Sequence, residues 1–187
     1  LQLERVLGIP ASFWNNLERN YRETMARLRE EEKLNSQTDW LKRFPVASMI
    51  KLDWIKKEAS PALQLREMLT FFGVADVAAW QRLWESPNAV YRRSPAWESS
   101  EYALAAWLRK GEVEAVKIPC APYDARTFRS ALERIRSLTA ETPETFQPRM
   151  KELCASAGIA LAFVAELPKT RVYGATRWLG PTKALIQ

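Results

Sequence analysis

Gly158-Ile159-Ala160-Leu161-Ala162-Phe163-Val164 opens the stretch whose reading decides the fold. It continues through Pro168-Lys169-Thr170, Val172-Tyr173-Gly174-Ala175-Thr176-Arg177-Trp178-Leu179, Gly180-Pro181 and Lys183-Ala184-Leu185-Ile186-Gln187. Apolar runs of about four to eight residues, bounded by Gly and Pro turn signals, have the length of strands rather than helices. Ile159 to Val164 therefore reads as a buried strand, Pro168-Lys169-Thr170 as a turn, and Val172 to Leu179 as a second strand. Gly180-Pro181 reads as a tight turn and Lys183 to Gln187 as the start of a third strand. Three such strands are expected to form an antiparallel sheet packed on the helices before it. A last edge strand that stops with the chain leaves pairing groups open, so further residues are expected after Gln187 in a parent protein.

Working back from this stretch, the apolar period changes to that of a helix. Thr142-Pro143-Glu144 places a hydroxyl, a first-turn proline and a carboxylate at one helix start. Phe146, Met150, Leu153, Cys154 and Ala157 then share a face until Gly158 stops the helix. Asp124 is the expected N-cap of another helix, with Phe128, Leu132, Ile135 and Leu138 on one face. A compact helical unit from Ser99 carries Ala103, Leu104, Trp107 and Leu108 and is expected to halt at Gly111, which leaves Glu112 to Ala121 as a short strand or an extended linker. Further back, one helix runs from Pro61 to a stop at Gly73, and another carries Val74, Val77, Trp80, Leu83 and Trp84 and ends before Pro87. Pro45 breaks the Trp40–Ile55 stretch into two short helical pieces. The whole is expected to be α+β, mainly α-helical, with a small C-terminal sheet.

The first residues add a short helix ending near Gly8 and, after Pro10, a long amphipathic helix reaching at least Leu34. At 1.5 Å per residue it spans about 35 Å. Trp14, Leu17, Tyr21 and Leu28, with Met25 beside them, recur at helical spacing on one face. Such a stripe serves either as a dimer seam or connector or as packing on neighbouring helices. Trp80, Trp84, Trp97 and Trp107 fall close together; stacking of single-stranded bases is one use for them, but their helical spacing argues for core anchors.

Composition narrows the chemistry. The 187 residues carry 47% hydrophobic side chains, enough for a buried core. The net charge of +6 divides as +2 over residues 1–58, +1 over 59–110 and +3 over 111–187, so it is spread rather than gathered into a phosphate-binding patch. The longest apolar run, Ile159 to Ala165, is far short of the roughly 18–20 residues a membrane-spanning helix needs. Cys120 and Cys154 are too few for a disulfide framework, which suits a reduced cytoplasmic compartment. With no histidine in the chain, an HExxH zinc site, a serine triad and a histidine-activated thiol cannot be built, and with only 6 glycines a phosphate-cradling loop is missing too. Leu1 stands where a native start would have Met, so residues are expected upstream.

Leu1-Gln2-Leu3-Glu4-Arg5-Val6-Leu7-Gly8-Ile9-Pro10-Ala11-Ser12-Phe13-Trp14-Asn15-Asn16-Leu17 resembles the closing helices of a lambda-repressor-like (XRE) helix-turn-helix domain of the antitoxin type. Ala103 to Gly111, Ile135-Arg136-Ser137-Leu138-Thr139, Leu153-Cys154-Ala155-Ser156-Ala157-Gly158-Ile159-Ala160 and Gly174-Ala175-Thr176-Arg177-Trp178-Leu179 resemble the front half of an ImmA/IrrE-type metallopeptidase domain. The resemblance implies three parts. Residues 1–34 would be the end of the helix-turn-helix domain and a connector helix, 35–98 a helical linker domain, and 99–187 the front half of the peptidase-like domain. It also implies that the base-reading helix precedes Leu1, that the zinc-binding HExxH helix follows Gln187, and that Thr176, Arg177 and Trp178 lie on a strand bordering the substrate cleft.

Three readings of function follow from the resemblance. The first is a fragment of a DNA-binding transcription regulator or antitoxin-type protein, reaching DNA through the upstream helix-turn-helix. The second is a catalytically inactive peptidase-like scaffold that binds a protein partner or forms a homodimer through Trp14, Leu17, Tyr21 and Leu28. The third is a zinc metallopeptidase in the full-length parent, with the 187 residues themselves inactive and free of cofactor.

Overall fold

The computed structural model describes residues 2–84, 91–93, 100–138, 142–170 and 172–187; Leu1, Pro87, Trp97, Ser99 and Thr139, each given a place above, lie outside them. In order, the elements are α1 (Gln2–Leu7), α2 (Ala11–Asn35), a 3-10 helix (Thr38–Arg43), α3 (Val46–Lys51), α4 (Pro61–Phe72), α5 (Val77–Trp84), β1 (Tyr91–Arg93) and α6 (Glu101–Lys117). The chain then continues through α7 (Ala125–Ser137), α8 (Pro143–Ser156), β2 (Ile159–Leu161), β3 (Val172–Gly180) and β4 (Lys183–Ile186). The fold is thus mainly α-helical α+β with a small sheet at the C-terminal end, as expected.

Local chemistry sets the helix limits. Pro61 occupies the first turn of α4, the Ser60 hydroxyl accepts the Leu63 N–H, and Gly73 ends the helix at φ +68°. Asp124 caps α7 by accepting both the Thr127 N–H and its hydroxyl at 2.7 Å. At the start of α8 the Thr142 carbonyl, rather than its hydroxyl, meets the helix, accepting from Thr145 and Phe146 N–H; the hydroxyl lies 3.4 Å from that of Thr145.

Two expectations are corrected. Gly111 does not stop α6; the helix runs on to Lys117, and Glu112 to Lys117 is neither strand nor linker. The helical penalty of one glycine is only about 1 kcal/mol, less than α6 gains by burying residues on both sides of it, Leu104 and Leu108 before and Ala115 after. The sheet is mixed rather than wholly antiparallel: its order is β1-β3-β4-β2, with β3 antiparallel to β4 and to β1 but β2 parallel to β4. β4 thereby inserts between β2 and β3, and β2 ends at Leu161, earlier than the apolar run does.

Packing follows strand alternation. Ala160, Ala162 and Leu185 cluster with Ala115 of α6, while Ile159 and Leu161 cluster with Cys154 of α8 and, around them, Phe128 and Ile135 of α7. The sheet therefore lies between α6 and the α7–α8 pair. The largest core cluster joins Trp40, Phe44, Met49, Leu65, Phe72 and Trp80 to Leu104, Trp107 and Ala175. Trp40, Trp80 and Trp107 are buried there, and Trp84 packs at its edge with its ring 5.4 Å from that of Phe72. These tryptophans are core anchors.

Candidate functional site

The residue triplet Thr176-Arg177-Trp178 divides between the two faces of β3, as a two-residue period requires. Arg177 projects toward α6 and pairs with Glu112, whose other oxygen accepts from Arg109 Nη1 at 2.7 Å. Arg109 Nε also donates to the Phe71 carbonyl at 2.8 Å, so this group ties α4, α6 and β3 together. The Glu112 side chain is only 13% exposed. Both its oxygens are engaged by guanidinium groups, an arrangement that serves as a clamp rather than as an acid or base.

Thr176 and Trp178 lie on the opposite face. Thr176 is exposed. Trp178 is 58% exposed and sets its ring edge-on to Tyr123, centroids 4.9 Å apart. The structure thus brings Trp178 to Tyr123 and Arg177 to Glu112, and does not gather the three strand residues around one point.

On the α6 side, β4 extends the clamp. Lys183 Nζ donates to the Ala115 and Ile118 carbonyls at 2.8 and 2.6 Å, placing a cation at the C-terminal end of the helix. Gln187 Nε2 donates to the Trp107 carbonyl at 2.6 Å, and its backbone exchanges two hydrogen bonds with Ala175. A Cβ on Gly111 would come within 2.0 Å of Gln187 Oε1, so this glycine leaves room for the amide. Sequence reasoning missed Glu112 of α6 as the partner of Arg177, and Lys183 and Gln187 as partners of α6. The Arg109–Glu112 spacing of three is the available signal, and a helix stop at Gly111 hides it.

The two cysteines lie on opposite sides of the sheet, Cys154 among Ile159 and Leu161, Cys120 beside the Ala115 cluster. Burial pushes both thiols above their ordinary range, with Lys183 partly offsetting this at Cys120. The Cys120 thiol donates to the Ile118 carbonyl at 3.6 Å. A thiol held in its neutral form is a poor nucleophile.

On α2, Leu17, Tyr21 and Leu28 are 53%, 62% and 50% exposed, Trp14 is half-buried, and the helix as a whole has no buried residue. The stripe faces solvent. An open hollow of about 360 Å³ over the Leu41–Ser48 segment has Lys42 as its one charged lining residue and offers no catalytic set.

Among the described residues no three His, Cys, Asp or Glu side chains come together, and the chain holds no histidine. The donor set for catalytic zinc, neutral imidazoles completed by a carboxylate or thiolate, does not fit these residues. No helix among the described residues is long and apolar enough to cross a membrane. Comparison with family models, with curated proteins and with solved structures found no match.

Proposed function

We propose that the chain is part of a DNA-binding transcription regulator or antitoxin-type protein, carrying the end of a helix-turn-helix head, a connector and the front of a peptidase-like regulatory domain. The observation that supports this reading is the succession of elements: short α1, a 25-residue α2 with no buried residue, a helical middle, then α6 to α8 leading into a small sheet. That is the order in which the XRE-like and ImmA/IrrE-like segments occur. In this reading residues 1–34 connect, 35–98 link, and 99–187 form the front of the peptidase-like body. Thr176 and Trp178, on the solvent-facing side of β3, are the groups that a bound polypeptide would meet. A cytoplasmic location belongs to the same reading. Peptidase activity in the whole protein would draw its zinc ligands from residues other than these.

The test is the reading frame on either side of these codons. A helix-turn-helix upstream and HExxH downstream are expected, and the product of that frame should shift a fragment of its own promoter in a gel. A frame with neither motif removes the reading. The alternative, an inactive interaction scaffold, then takes its place, favoured by the exposed apolar stripe of α2.

A further inference from the structure

We draw no further inference here: the strongest candidate, the apolar surface patch along α2 where Leu17, Tyr21 and Leu28 stand exposed, carries none because nothing in the structure shows what covers it.

Discussion

Gly158 is the residue where sequence and structure agree for different reasons. The apolar period of α8 ends there, so a left-handed helix stop was legible, and φ is +82°. What could not be read is that Tyr123, 35 positions earlier, passes directly over it: an added Cβ would lie 2.2 Å from Tyr123 Cα and 2.3 Å from its nitrogen. Backbone atoms cannot swing aside as a side chain does. Gly158→Ala combines a positive-φ penalty with this clash and should cost at least about 3 kcal/mol. Gly8→Ala shares the φ, at +65°, but meets nothing within 4 Å, and should cost only about 1 kcal/mol. Urea midpoints of the two variants check the contrast; equal losses would show that Tyr123 does not constrain the site.

Among the elements, α6 is the least legible in the sequence because its decisive partners are remote along the chain. Periodicity reports which face is apolar; it is silent on a lysine 65 residues downstream whose amine reaches the Ile118 carbonyl. Replacing that amine by an apolar group of similar length leaves the Ala115 carbonyl with the Ile118 N–H alone and the Ile118 carbonyl with the weak Cys120 thiol donor. Lys183→Met should therefore lower stability by about 1–3 kcal/mol, measured by chemical denaturation, with the core otherwise intact. Caps give the helices a pH signature. The Thr127 N–H holds the Asp124 carboxyl below its usual range, Ala79 N–H and Lys33 do the same at Asp76, and Lys110 lowers Glu114. A depressed carboxyl contributes stability that is complete above its unfolded pKa, near 4, and is lost as pH falls through the folded value. Urea midpoints should thus hold from pH 7 to about 5 and drop below about 4. Asp124→Asn should shrink that drop; a midpoint that rises on acidification would contradict the sign.

At the level of the molecule, the helix-then-sheet plan was legible because the apolar period changes at Gly158. Strand direction was not. A strand buried on both faces reads as a continuous apolar run whether its neighbour is parallel or antiparallel, and nothing in Ile159-Ala160-Leu161 announces that β4 will slip between it and β3. The insertion bears on the order of assembly. β3 and β4 close across the short Pro181–Thr182 turn, whereas β2 must wait for a partner more than twenty residues ahead. The difference in loop-closure entropy is about 2 kcal/mol in favour of the hairpin. In stopped-flow kinetics, Ala160→Gly should then speed unfolding while leaving the refolding rate nearly unchanged, because a strand that docks after the rate-limiting barrier affects only the way out. The parallel strand would act as the latch that sets how long the native molecule lasts.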